Sequence, residues 1–184
     1  TMKYVLSFIA LILCLSVSLP TLCISQNINV KQEKKLSKKE RKALRAAAME
    51  AEVASAFEKK RILVEINRIY PSGRESKVTN NSYAFRLVND SLTCHLPYIG
   101  DMTTSAYGGI DLSINASGTK VINPQYLYDQ EQNCYFILFK FINETRNERW
   151  DCKIQLFKDK IVYIGLSCLN RSSISYEGEL AAIK

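Results

Sequence analysis

The sequence predicts a mainly β protein, an antiparallel meander of about eight or nine strands preceded by one α-helix. From Arg61 onward the apolar residues recur with a period of two, which is the spacing of a half-buried strand. Most links between these stretches are two to five residues long, a length that joins antiparallel neighbours and is too short for a parallel crossover. So long a meander must close into a barrel or fold into a sandwich to cover its edges, and we favour barrel-like closure.

The N-terminus has the features of a secretory signal peptide, which we place at residues 1–25. Lys3 precedes an apolar run that ends at Pro20, and small residues follow it. The run is shorter than the roughly 20 apolar residues of a membrane-spanning helix. We therefore expect cleavage before Gln26 and an exported protein, periplasmic or extracellular, with no membrane span after cleavage. The alternatives are lipid anchoring at Cys23 or an uncleaved anchor.

Residues 26–60 are predicted to form a polar leader and a basic, alanine-rich helix. Ser37 and Glu40 have the spacing of a capping box, in which each side chain satisfies a free amide of the first turn. Strong helix formers follow without Gly or Pro, which predicts a helix from about Lys38 to Phe57. Its apolar side is thin and consists of Ala46, Met49, Val53, Ala56 and Phe57.

The net charge of +7 is concentrated in this helical segment. Residues 31–60 hold ten Lys and Arg against five Asp and Glu, whereas residues 61–184 hold fourteen against thirteen. Nucleic-acid binding requires a basic stripe on the folded surface, so we expect none. The basic helix instead suggests an alternative function, that of a structural or assembly factor docking on an anionic envelope polymer or envelope protein.

Residues 61–184 are predicted to form the β domain. The nine candidate strands are "RILVEINRIY", "SYAFRLV", "SLTCHL", "GIDLSI", "TKVINPQYLY", "CYFILFKF", "RWDCKIQLF", "IVYIGLSC" and "SISYEGEL". The stretch "CYFILFKF" is apolar on both faces, which indicates the most buried strand or one packed beneath the helix. Turn signals separate the strands, among them "YPSG", "VNDS", "NASG" and "NRSS".

Three stretches, "ILVEINRIYPSGR", "NSYAFRLVNDSLTCHLPYIGDMTTSAYGGIDLS" and "SSISYEGEL", carry a resemblance to a known family. Together they resemble a family of exported proteins of unknown function from the Bacteroides group of bacteria. That family has a signal peptide, a Lys/Arg/Ala-rich helix, "LPY.G" followed by "YGG.ID", and a final "ISY.GE". The resemblance implies export and the β fold, and it implies no activity.

The stretch "CHLPYIGDMTTSAYGGIDLS", Cys94 to Ser113, contains the longest loop of the β region. Long loops at one end of a β scaffold are common ligand-contact positions. Tyr98 and Tyr107 flank this loop, which makes an aromatic-lined mouth for a small apolar or carbohydrate ligand a hypothesis, although we favour anchoring of the loop on the core by these rings. The candidate ligand-binding residues are Tyr98, Tyr107 and His95.

No catalytic residue, metal site or cofactor is predicted. Cys94 and His95 are neighbours on a strand, so their side chains project to opposite faces and cannot form a catalytic pair. His95 is the only histidine, which leaves no zinc-type spacing. We therefore expect a non-enzymatic domain that binds a small ligand or an envelope partner. A carboxylate-dependent hydrolase is a further hypothesis, and its candidate residues are Glu65, Asp111, Glu177 and Glu179.

Four cysteines of the mature chain, Cys94, Cys134, Cys152 and Cys168, allow three pairings in an oxidising compartment. Cys152 and Cys168 occupy core-facing positions on two strands joined by a short turn, so a cross-strand disulfide between them is a candidate. The alternative is that the thiols are buried and free.

Overall fold

The structure, a computed structural model, describes residues 37–101 and 112–183. Helix α1 spans Lys38–Glu58, and the strands are β1 (Arg61–Pro71), β2 (Lys77–Val88), β3 (Ser91–Leu96), β4 (Ile114–Lys120), β5 (Ile122–Asp129), β6 (Cys134–Asn143), β7 (Glu148–Phe157), β8 (Ile161–Cys168) and β9 (Arg171–Leu180). The predicted signal peptide and the loop residues Tyr107 and Asp111 lie outside the described residues.

All nine strands of the described residues belong to one antiparallel sheet, in the order β4-β3-β2-β1-β9-β8-β7-β6-β5. Neighbouring strands of the sheet are consecutive in the chain, except that β1 pairs with β9, which joins two meanders into one sheet. The predicted class, a mainly β antiparallel meander with one N-terminal helix, is confirmed.

The two edge strands of the sheet, β4 and β5, are consecutive in the chain and are separated only by Val121. Because β4 pairs with β3 and β5 pairs with β6, one bent stretch of chain borders both ends of the sheet. The Glu144 amide donates to the Asn115 carbonyl at 3.0 Å, and the Tyr126 hydroxyl donates to Asp90 at 2.7 Å. These contacts draw the ends together, so the sheet forms a nearly closed barrel.

The bent stretch corrects the sequence prediction at one place. The sequence predicts that "NASG", residues 115–118, forms a turn after a strand that ends at Ile114. In the structure β4 begins at Ile114 and contains these four residues. Gly118 has φ +72°, and the ladder with β3 shifts register between Leu92 and Thr93. A left-handed glycine that takes up one extra residue is a β-bulge. The strand therefore continues where the composition suggested that it reverses.

The barrel interior is filled by side chains. The largest fully buried ones are Trp150, Tyr176, Phe85, Phe141, Ile62, Ile66, Leu87, Leu92, Leu96, Ile114, Ile137 and Ile154. If β4 and β5 count as one bent strand, the barrel has eight strands, a number whose interior is about wide enough for side chains to fill. A ligand would therefore bind on the outer face or at an end of the barrel.

Helix α1 begins with the predicted capping box: the Glu40 carboxylate accepts from the Ser37 amide at 2.8 Å, and the Glu40 amide donates to the Ser37 hydroxyl at 3.3 Å. Its C-terminal half docks on the barrel. Val53 is fully buried, and the ring centroids of Phe57 and Tyr135 lie 4.5 Å apart. Phe57 also contacts Tyr126 of β5, with 5.6 Å between the ring centroids, so the end of the helix lies against residues of β5 and β6. No helix of the described residues has the length and apolar character needed to cross a bilayer.

Candidate functional site

The neighbours Cys94 and His95 lie on opposite faces of β3. Cys94 is 5% exposed in the core, and burial raises its pKa to about 12, so the thiol stays protonated at neutral pH. His95 is exposed on the outer face. The two side chains therefore do not form a thiol–imidazole pair.

Tyr98 lies inside the base of the long loop. It is 8% exposed, and its ring meets that of Trp150 edge-on with 5.9 Å between the centroids. Its hydroxyl lies 2.9 Å from the Ser172 carbonyl and 3.0 Å from the Asp101 carbonyl, both of which accept hydrogen bonds. This position fits the anchoring alternative for Tyr98, and Tyr107 lies outside the described residues.

A buried arginine holds the same loop base, and the sequence analysis did not identify it. The Arg171 side chain has no exposed surface; its guanidinium binds Glu148 through two contacts of 3.2 and 2.7 Å and donates to the Leu112 carbonyl at 2.8 Å. It also lies 4.9 Å from the centroid of the Tyr98 ring. Ile174 faces the core, so strict alternation along β9 would place Arg171 on the outer face. A register shift in the β8–β9 ladder beside Arg171 interrupts the alternation, and Arg171 faces inward instead. No signal in the sequence marks that irregularity.

All four cysteines of the described residues are free. The β7–β8 ladder pairs Cys152 with Leu166, so Cys168 is offset from Cys152 by two residues. Diagonal neighbours have Cα atoms roughly 7–8 Å apart, whereas a disulfide needs Cβ atoms about 3.5–4.5 Å apart. The predicted Cys152–Cys168 bridge is not formed because the register does not place these residues opposite each other.

A groove of about 530 Å³ on the outer face of β1 to β4, here named the His95 groove, is the candidate functional site. Its lining includes Leu63, Ala84, Arg86, His95, Ser117 and Glu144. Small-molecule sites in proteins commonly measure about 300–1,000 Å³. The groove contains one of the three predicted ligand-binding residues and does not include Tyr98.

The strand ladders set the layout of the His95 groove. Arg86 lies between Leu63 of β1 and Thr93 of β3 in one row across the sheet. In the next row Ala84 lies beside His95, because their neighbours Phe85 and Cys94 are paired. The short side chain of Ala84 leaves a depression between the taller residues, and Leu63 extends this apolar floor.

His95 is oriented by a hydrogen-bond network. Its Nδ1 contacts the side-chain oxygen of Asn115. The Asn115 amide nitrogen donates to the hydroxyls of Ser113 and Thr145, at 2.6 Å each. Because that nitrogen is committed, the Asn115 oxygen must accept, which assigns the proton to Nδ1 of His95. In the neutral ring Nε2 then remains as an acceptor.

Glu144 and Arg86 place opposite charges at the two ends of the groove. The Glu144 carboxylate accepts from the Thr119 hydroxyl at 2.5 Å and from the Ser117 amide at 2.8 Å, and these bonds lower its pKa. Arg86 forms no ion pair with any residue that the structure describes. The groove thus combines a fixed carboxylate, an oriented imidazole and an uncommitted guanidinium around an apolar floor.

The carboxylates of the hydrolase hypothesis do not converge on this groove. Glu65 faces Glu179 across the β1–β9 ladder, and Glu177 accepts a hydrogen bond from the Tyr70 hydroxyl. Asp111 lies outside the described residues. Among residues 37–101 and 112–183 no group of three or more His, Cys, Asp or Glu side chains is arranged to hold a metal ion.

Fold and site together define a small antiparallel barrel domain with a polar groove on its outer face. Residues 44–180 match the family model described as a domain of unknown function (DUF4251), and the chain belongs to that family. This is consistent with the resemblance carried by the sequence motifs.

A search of solved structures found a similar chain, the crystal structure of a DUF4251 family protein from Bacteroides eggerthii DSM 20697. It is 11% identical, with a TM-score of 0.53 over 73% of this chain and 87% of that one. At this identity the likeness concerns the fold alone. A search of the curated proteins found no match.

Proposed function

We propose that the chain is exported and acts as a non-enzymatic binding domain whose His95 groove holds a small monoanion with an apolar body. The observation that carries this proposal is the uncommitted guanidinium of Arg86 beside the apolar floor of Leu63 and Ala84. A guanidinium binds a carboxylate through two parallel hydrogen bonds, which fixes the ligand's orientation as well as its position.

The other groove residues narrow the ligand class. The row across the sheet runs from Arg86 through Thr93 and Ser117 to Glu144. The Glu144 carboxylate therefore lies at the end of the groove opposite Arg86. Glu144 repels a second negative charge there and accepts hydrogen bonds instead. A ligand with one carboxylate and a hydroxyl or amide at the other end matches this arrangement.

Binding without catalysis is supported by the contacts of His95. General acid–base catalysis needs a reacting group within hydrogen-bond reach of a suitable side chain. The contact of His95 is the Asn115 amide, and the Cys94 thiol faces the core in its protonated form. Among the described residues of the groove, neither His95 nor Cys94 is thus paired with a hydroxyl or thiol that it could activate, and we therefore propose binding.

The test is a thermal-shift and calorimetry screen of the exported chain against aliphatic and aromatic monocarboxylates, each paired with its neutral amide. The carboxylates should raise the melting temperature and the amides should not, since only binding to the folded state stabilises it. Arg86→Ala should weaken binding at least tenfold, whereas Arg149→Ala, which removes an exposed arginine outside the groove, should leave it unchanged. Equal effects of acids and amides, or unchanged binding by Arg86→Ala, would overturn the proposal.

One observation favours a second candidate, docking through the basic helix. Every residue from Lys38 to Ala48 is exposed, and this stretch holds five Lys and Arg against one Glu. An anionic envelope polymer is the matching partner, because clustered cations gain affinity from it at low salt. Deletion of residues 31–45 should abolish low-salt envelope pull-down while leaving the melting of the β domain unchanged; retained pull-down would sink this candidate.

A further inference from the structure

A second groove, here named the serine groove, lies on the outer face of β5 to β9 and measures about 540 Å³. Its floor consists of four small residues, Gly165, Ser167, Ser173 and Ser175. The β8–β9 ladder places Gly165 directly opposite Ser175. Two adjacent strands thus carry short side chains where their neighbours carry longer ones, and the floor lies close to the backbone.

An exposed aromatic ring, Tyr163, lies beyond the residues that line the groove, next along β8 on the same face as Gly165. Tyr163 lies two residues before Gly165 on the same face of β8 and is 38% exposed. Phe157 meets its ring at right angles, with 6.0 Å between the centroids. On the other side Tyr163 is paired with Glu177, whose carboxylate accepts from the Tyr70 hydroxyl. The Tyr163 ring is therefore held in place with part of its surface open.

Polar groups line the opposite side of the floor. Lys140 and Asp151 form an ion pair of 2.9 Å. The Lys153 ammonium lies 4.7 Å from the centroid of the Phe136 ring, and Gln125 completes this side. The Asp151 carboxylate neutralises Lys140, whereas Lys153 lies opposite Gly165 and forms no ion pair with a described residue, so this groove offers hydrogen-bonding groups and one excess positive charge.

We propose that the serine groove binds a neutral carbohydrate. A sugar ring has apolar C–H faces and a rim of hydroxyls, so it fits a site that combines an exposed aromatic face with closely spaced donors and acceptors. One ring packs on Tyr163 and the next lies over Gly165, where its hydroxyls reach the serine hydroxyls. Asp151 and Lys153 supply an acceptor and a donor at the far side.

A peptide strand fits this surface less well. Strand addition needs an unpaired sheet edge, whose main-chain groups supply the affinity. Here β8 is paired with β7 and β9, and β9 is paired with β8 and β1, so the backbone beneath the groove is already hydrogen-bonded. An acidic ligand would meet one cation here that has no ion pair, Lys153, and its ammonium already lies over the Phe136 ring.

The experiment screens the whole chain on an array of neutral and acidic glycans, followed by calorimetry with the retained oligosaccharides. Tyr163→Ala should weaken binding at least tenfold. The matched control is Tyr128→Ala, which removes an equally exposed tyrosine, at 45%, outside the groove; its affinity should equal that of the wild type.

Gly165 allows a second variant that fills the groove without disturbing the fold. A Cβ at this position lies 3.8 Å from the Ser175 hydroxyl and 3.9 Å from the Lys153 carbonyl, which are ordinary contacts. Gly165→Ala and Gly165→Val should therefore keep the melting temperature of the wild type. The affinity for the glycan should fall in the alanine variant and fall further in the valine variant. Failure of the wild type to retain any neutral glycan, or full binding by Gly165→Val, would overturn the proposal. Retention of acidic glycans alone, abolished by Arg86→Ala, would also overturn it and would support the His95 groove instead.

Discussion

The Tyr126 hydroxyl donates a 2.7 Å hydrogen bond to the Asp90 carboxylate across a boundary that no strand ladder spans. Tyr126 belongs to the edge strand β5, and Asp90 lies in the turn between β2 and β3. The Lys60 ammonium lies 3.4 Å from the same carboxylate and 4.6 Å from the centroid of the Tyr126 ring. Side-chain contacts and single main-chain hydrogen bonds, such as that from Glu144 to Asn115, thus close the barrel here, where continuous ladders do so elsewhere.

Removing the Tyr126 hydroxyl should loosen this closure. We expect Tyr126→Phe to lower the free energy of unfolding by about 1 kcal/mol, the usual net value of one hydrogen bond, with some addition because Asp90 loses a partner. Urea unfolding measures the change. Tyr128→Phe is the control, because its hydroxyl bonds to Asn133 within a single hairpin. An equal loss in both variants would show that the barrel closure does not depend on Tyr126.

Glu144 should make the same closure sensitive to acid. Hydrogen bonds from Thr119 and Ser117 lower its pKa in the folded state, relative to about 4.3 for an unfolded glutamate. A group with a lowered folded pKa stabilises the fold above its unfolded pKa, and this contribution is lost as the pH falls through the folded value. Glu144→Gln should therefore flatten the decline of the melting temperature below about pH 4.3. A parallel decline in wild type and variant would contradict this assignment.

Removing only one partner of the buried ion pair between Arg171 and Glu148 should lower the free energy of unfolding strongly. Arg171→Leu leaves a buried carboxylate without its partner, a change that typically costs about 3–5 kcal/mol. The double variant Arg171→Leu/Glu148→Leu removes both charges and should cost less than the sum of the single variants. Chemical denaturation of the four proteins gives the coupling energy. Additive losses would mean that the two side chains stabilise the loop base independently.

Alanine should change the stability of the fold at one of two glycines on adjacent strands and leave it almost unchanged at the other. A Cβ at Gly178 would fall on the Glu65 carbonyl and lie 2.7 Å from the Val64 side chain, so strands β1 and β9 would have to separate. Gly178→Ala should therefore destabilise the fold by about 1–3 kcal/mol, the range for overpacked sites. Gly165→Ala should be nearly neutral, because a Cβ there would make only ordinary contacts of 3.8 and 3.9 Å. Similar melting temperatures for both variants would contradict the close approach at Gly178.

The elements of this fold were predictable where local chemistry determines them. The capping box of Ser37 and Glu40 predicted the start of α1, and apolar alternation predicted most of the strands, because each depends on residues a few positions apart. The bulge at Gly118 was not predicted, since glycine between polar residues marks turns and bulges alike.

The candidate site was predictable only in part. His95 was identified because it is the single histidine, and its position on the face opposite Cys94 followed from strand parity. Its network with Asn115 and its proximity to Arg86 depend on which strands are neighbours and in what register. Arg171 was missed because an irregularity in the ladder reversed its face.

Composition and periodicity alone predict the helix and the antiparallel meander of the described residues, because these properties arise from residues close together in the chain. The tertiary structure decides barrel closure, the free state of Cys152 and Cys168, and the two outer-face grooves. Each of these depends on register, and a ladder shifted by one residue would turn His95 and Tyr163 inward. Register is set by packing and bulges over the whole sheet, so it is read from the fold and not from any local stretch of sequence.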